Sequence, residues 1–189
     1  MHPGGGLEAP ARQQASGIVK TVNSAADTLT VVGLDPGLAN LGLGAVREVG
    51  RESVCLGSQL VRTSPSQGQA ERLKILYTEV AAFFDRYRPD VLAVEGQYFH
   101  RQQEVAFKVG QAFGVCLLAA EERGVTVVEY GPMQVKQTLV GTGKAGKAQV
   151  AFMVRALLHL KETPESFHVA DALALALTHL SSRRLQALR

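Results

Sequence analysis

The sequence predicts a mixed α/β domain: one sheet of five strands with helices on both faces. Three observations carry that prediction. Apolar runs rich in Val and Leu recur as TLTVVGLD, NLGLGAVREV, ESVCLGSQLVRT, DVLAVE and TVVEYG, and short runs of this kind bounded by turn signals read as strands. The first three lie close together and suit an antiparallel meander, whereas the later ones alternate with segments of helical spacing. Grouped strands followed by strands interleaved with helices give a sheet covered on both sides.

The stretch MHPGGGLEAPARQQASGIVKTVNSAAD has no sustained apolar period, so residues 1–27 are expected to form a flexible tail. The folded domain is placed at 28–182, with a basic tail at 183–189. TLTVVGLD closes on Asp35-Pro36-Gly37, where Pro-Gly turns the chain. Over 69–88, Leu73, Leu76, Tyr77, Val80, Phe84 and Tyr87 keep helical spacing, and Pro89 stops the helix. DVLAVE follows as a strand. EVAFKVGQAFGVCLLAAEERG reads as a second long helix ended by Gly124. On it Gly110, Gly114 and Leu118 share one face, which either packs on the sheet or receives a second copy of the chain. TVVEYG is the fifth strand, and MQVKQTLV after it forms no clean buried strand. Val150, Met153, Val154, Leu157 and Leu158 mark a third helix, and HVADALALALTHL begins the last.

A chain of 189 residues suits one domain with a sizeable core. Its net charge of +3 is only mildly basic, so the distribution of charge matters more than its total. No apolar run reaches the roughly 18 residues of a membrane span, and the N-terminal stretch lacks the apolar core of a signal peptide. Cys55 and Cys116 lie in apolar stretches without metal-ligand spacing, as reduced, buried thiols of a cytoplasmic protein would.

Four side chains carry the chemistry. Asp35 and Glu95 each end an apolar strand, and His168 and Asp171 lie three residues apart on the last helix, where they share a face. Carboxylates and an imidazole converging on one point are unfavourable unless a cation joins them, which suggests a divalent-metal site for phosphate chemistry. Taken alone, Asp35 is equally a turn-capping residue. DPGLANLGLG also resembles the first phosphate loop of actin-like kinases, a fold that needs a second such domain. GTGKAGKA at 141–148 is one residue from a nucleotide-binding P-loop, but Ala148 stands where a hydroxyl would hold Mg²⁺. A flexible loop with two cations fits it better. Between 131 and 161 lie Lys136, Lys144, Lys147, Arg155 and Lys161 with no acidic residue, which suits a polyanion beside an acidic pocket. Tyr98, Phe99, His100 and Arg101 follow Glu95; the aromatics either stack on an unpaired base or belong to the core.

Taken together, VVGLDPGLANLGLGAV, VLAVEGQYF, GQAFGVCLLAA, QVKQTLVGTGKAGKAQV, MVRALL and ADALALALTH resemble the RuvC-type Holliday-junction resolvases, in order and nearly without gaps over 31–179. The resemblance implies an RNase H-like fold and a homodimer. It implies symmetric nicking of four-way junction DNA with two Mg²⁺ or Mn²⁺ ions per site, and work alongside a branch-migration complex (RuvA and RuvB) in recombination and repair. By position it makes Asp35, Glu95 and Asp171 catalytic carboxylates, Lys136 and Lys147 active-site cations, and Tyr98 an aromatic beside the site. Phe99, Arg101 and Lys144 are expected to join Tyr98 against DNA. His168 stands where many members carry Asp and some carry His. With these roles, Asp35, Glu95, His168 and Asp171 are the expected metal ligands. A fragment of an actin-like ATPase, or a junction-binding module that does not cut, are the other readings.

Overall fold

A computed structural model describes residues 28–96 and 103–187. The sheet is built from β1 (Thr30–Asp35), β2 (Asn40–Val49), β3 (Glu52–Arg62), β4 (Val91–Glu95) and β5 (Thr126–Tyr130), in the order β3-β2-β1-β4-β5. β1, β2 and β3 pair antiparallel, while β4 and β5 run parallel to β1. The helices are α1 (Gln69–Tyr87), α2 (Gln103–Glu121), α3 (Pro132–Val140), α4 (Lys147–Leu157) and α5 (Phe167–Ala187). The mixed five-stranded sheet of RNase H-like type is therefore present. The expected flexible tail at 1–27 lies outside the described residues.

The alternation of side chains along the strands decides which residues meet which helix. Val32, Leu34, Leu92 and Val94 join a core with Leu76, Val80 and Phe84 of α1 and Ala112, Cys116 and Ala120 of α2. Val31, Val91 and Ala93 join the opposite core, with Val135 and Leu139 of α3, Val150 and Val154 of α4, and Val169, Leu173 and Leu180 of α5. Asp35 and Glu95 continue the second set. Two residues beyond Gly33 and Ala93, they point toward α3, α4 and α5.

Helix α5 lies unusually close to the sheet, because glycines stand beneath it. A Cβ at Gly33 would fall 1.7 Å from the Ala172 carbonyl oxygen, and one at Gly42 would fall 2.1 Å from that of His168. A glycine inside a strand marks such an approach of another backbone. The approach brings the first turn of α5 over the ends of β1 and β2.

Helix α3 departs from the sequence reading, which assigned no element to MQVKQTLV. Only Val135 and Leu139 of this helix are buried, too few for a clear period. Its signal is in the flanks: Pro132 at the first turn and Gly141 in the left-handed conformation (φ 78°) after the last. Helix α5 continues through Ala187, so it runs into the stretch from 183 that the sequence reads as a basic tail. Arg183 and Arg184 each bond a different oxygen of the Glu48 carboxylate, at 2.9 and 2.6 Å, which ties this end of the helix to β2. Cys116 is fully buried and its thiol is pushed up to about 12 by burial. Cys55 is only half-buried, contrary to expectation.

Candidate active site

Asp35 and Glu95 end neighbouring parallel strands, one residue past the Leu34–Val94 pair. Pro36 and Gly37 then turn the chain away from the sheet edge. His168 and Asp171 come from the first turns of α5, whose start is capped by Ser166: its Oγ accepts the Val169 N–H at 3.2 Å. Lys136 comes from α3 and Lys147 is the first residue of α4, where Gln149 Oε1 accepts the Gly146 N–H at 2.8 Å. All six line one cavity of about 460 Å³, together with Pro132, Val135 and Val150.

Within it the His168 Nδ1–H donates to Asp35 Oδ2 at 2.6 Å, and Lys147 Nζ stands 3.6 Å from Asp171 Oδ2. The electrostatics are strained in one sense. Burial, then the Asp35 and Asp171 charges, hold the Glu95 carboxyl above its ordinary range, against the opposing pull of Lys136 and Lys147. Burial and then Asp35 likewise raise Asp171. His168 is also raised, first by its bond to Asp35. Partly desolvated carboxylates that repel each other, beside an imidazole drawn toward the charged form, form a site short of positive charge.

A divalent cation would supply that charge, and hard oxygen donors with one imidazole suit Mg²⁺ or Mn²⁺. Among the described residues no three of these groups stand close enough together to be a ready-made ion cage. Asp35 is instead engaged by His168, and Asp171 faces Lys147. The residues present fit the group.

Of the other expected site residues, Lys144 lies on the exposed turn before α4, outside the cavity lining. Tyr98, Phe99 and Arg101 lie outside the described residues, as does His100. The P-loop alternative for 141–148 fails on context, because helix α3 precedes that segment where a P-loop needs a strand. Gly33 and Gly42, which let α5 reach the sheet, were not singled out from sequence. An isolated glycine within an apolar strand was the available signal. Among the described residues, no helix is long and apolar enough to cross a membrane.

Comparison with known proteins agrees with this geometry. The family model described as crossover junction endodeoxyribonuclease RuvC matches residues 31–179. A protein of that name from Thermus thermophilus is 48% identical over 160 residues, covering 83% of this chain and 96% of the relative. Another, from Pelotomaculum thermopropionicum, is 44% identical over 151 residues, covering 80% and 92%. The solved structure of T. thermophilus RuvC in complex with a Holliday junction substrate matches with a TM-score of 0.79, covering 84% of this chain and 96% of that one. The yeast mitochondrial Holliday junction resolvase Ydc2 shares the fold alone, with 12% identity and a TM-score of 0.61.

Proposed function

The chain belongs to the RuvC family of crossover junction endodeoxyribonucleases, and from that premise we propose how its own residues cut a four-way DNA junction. It is a Holliday-junction resolvase, a phosphodiester hydrolase. The observation that carries the assignment of roles is the convergence of Asp35, Glu95, His168 and Asp171 on one cavity that Lys136 and Lys147 also line.

Asp35 stands at the end of the central strand of the sheet, and with Glu95, His168 and Asp171 it would hold Mg²⁺ or Mn²⁺ in this cavity. Bound there, such ions would supply Lewis acidity toward the attacking water and the departing 3′ oxygen. Lys147 has a side chain 65% exposed, so it is free to exchange its contact with Asp171 for an incoming phosphate oxygen. Lys136 lines the same cavity, and its charge works against the upward shift of Glu95. Together they offset the negative charge that grows on the phosphoryl group as water attacks. His168 can serve as a ligand only as the neutral imidazole, so acid opposes loading of the site.

Paired nicks require two such sites. Helix α2 supplies a face for a second copy of the chain. Ala112, Cys116 and Ala120 are buried in the sheet core, so the opposite side of the helix does not pack on its own sheet. That side exposes Phe107 at 67% and Leu118 at 53%, and nothing lies within 4 Å of a Cβ built at Gly110 or Gly114. Small residues between large apolar ones allow close helix contact. A twofold dimer on this face presents one active site to each of two strands of like polarity. Action in the cytoplasm beside a branch-migration complex (RuvA and RuvB) is proposed on family membership.

The test is a labelled synthetic four-way junction incubated with and without Mg²⁺ or Mn²⁺, with the products mapped on every strand. Symmetric nicks that need the metal are expected; intact junctions under all conditions would overturn the proposed chemistry.

A further inference from the structure

A second hollow, of about 670 Å³, adjoins the catalytic cavity and shares Lys147 and His168 with it. Its walls include Asn40 and Arg62 at the paired ends of β2 and β3, and Glu165 and Phe167 at the entry to α5. Phe167 is 52% exposed, although aromatic rings usually bury most of their surface. It is the first residue of α5, and Ser166 holds that turn from both sides, its Oγ taking the Val169 N–H and its carbonyl the Ala170 N–H at 3.0 Å. The ring therefore sits on a capped helix end and not on a loose loop.

Lys147 Nζ stands 5.9 Å from the Phe167 ring centroid and 3.6 Å from Asp171 Oδ2. One ammonium thus connects the exposed ring to a carboxylate of the active site. Arg62, which also lines the hollow, is exposed and, among the described residues, makes no ion pair. An exposed aromatic face that shares one hollow with two cations suits an unpaired nucleotide: the ring takes the base, and the cations take phosphates next to it. Glu165, the one carboxylate among the described residues that line this hollow, does not cancel both cations.

We propose that Phe167 is a stacking platform for an unpaired base next to the cut phosphate, with Arg62 holding the phosphate beyond it. The proposal rests on the chain being a junction nuclease and extends that site by one nucleotide. Phe167 was not singled out from sequence; it lies two residues before Val169, the first buried residue of its helix.

The chain has no tryptophan, so Phe167→Trp installs a single fluorescent reporter at the platform. The full-length variant is titrated with a dye-labelled four-way junction in metal-free buffer, with anisotropy of the dye reporting binding independently. Quenching of the tryptophan with the same midpoint as the anisotropy rise is expected. Saturated anisotropy with unchanged tryptophan emission would overturn the proposal alone. Absence of junction binding by the unsubstituted protein would overturn the nuclease reading and the proposal with it. In a second arm, 2-aminopurine replaces the base beside the mapped cut. Phe167→Ala is expected to relieve its quenching and to slow single-turnover cutting by about 5- to 100-fold, the range of one lost base stack, with Phe167→Tyr restoring both. Slower cutting by Phe167→Ala with the 2-aminopurine still quenched would reduce the ring to a support for Lys147 and overturn the stacking role.

Discussion

Replacing Gly42 by alanine adds one methyl group directly beneath the first turn of α5. The new Cβ would lie 2.1 Å from the His168 carbonyl oxygen, 2.3 Å from its carbon and 2.9 Å from the Val169 nitrogen. All three are backbone atoms, so no side-chain rotation relieves the clash. To reach even a 3.0 Å contact, helix and strand must separate by almost 1 Å. Overpacking of this kind costs about 1–3 kcal/mol. The segment displaced is the one that carries His168, and a misplacement of about 1 Å can cost roughly 100-fold in rate. Gly33→Ala should be worse, since its Cβ would fall 1.7 Å from the Ala172 carbonyl oxygen. Gly44→Ala is the milder comparison: its nearest neighbours are side-chain atoms, Leu173 Cδ2 at 2.6 Å and Cγ at 2.7 Å, with backbone no nearer than the Leu173 nitrogen at 3.0 Å. Urea midpoints of the three metal-free variants, and their single-turnover rates on a saturating four-way junction, measure the two effects separately. Losses should follow the order Gly33, Gly42, Gly44. A Gly42→Ala protein with unchanged midpoint and rate would refute the idea that glycine contact positions the site.

Three further outcomes follow from the same geometry. Lys136→Ala and Lys147→Ala should slow cutting more than they weaken junction binding, which single-turnover rates and binding titrations separate; a loss confined to affinity would make both ordinary backbone contacts. For His168 the bond to Asp35 raises the imidazole above its ordinary value of about 6.5, so in metal-free protein the bond's contribution is complete below that value and is lost as pH rises through the folded one. Metal loading has the opposite sign, so activity should fall as pH drops through the raised value, with Mn²⁺ at least as effective as Mg²⁺; His168→Asp should relax both effects, and profiles unchanged in His168→Ala would exclude a role as ligand. Leu118→Glu on the open face of α2 should give monomers in sedimentation at micromolar concentration and unpaired nicks, and a dimer of unchanged stability would place the interface elsewhere.

Much of this architecture was legible because the strands advertise themselves. β1 to β5 are short Val- and Leu-rich runs with turn residues at their ends, and a carboxylate as the last residue of a buried strand is conspicuous. The i, i+3 spacing of His168 and Asp171 made their common direction readable as well. What escaped was nonlocal. Helix α3 buries only two side chains, so its pattern is weak until α4 and α5 cover it. The last helix outruns its apolar period because Arg183 and Arg184 find Glu48, a partner more than 130 residues earlier. Phe167 stands just before the HVADALALALTHL pattern, and only the fold brings it to a hollow beside the catalytic cavity.

The central claim is that Asp35 and its neighbours bind the ions that cut the junction. Asp35→Asn keeps the shape of the side chain while removing its charge, and the cations that attract DNA are untouched. Cleavage of a labelled four-way junction by this variant in Mg²⁺ or Mn²⁺, read alongside its binding to the same junction, tests the claim most directly. The account predicts near-normal binding with cutting reduced to background; appreciable cutting by Asp35→Asn would contradict it.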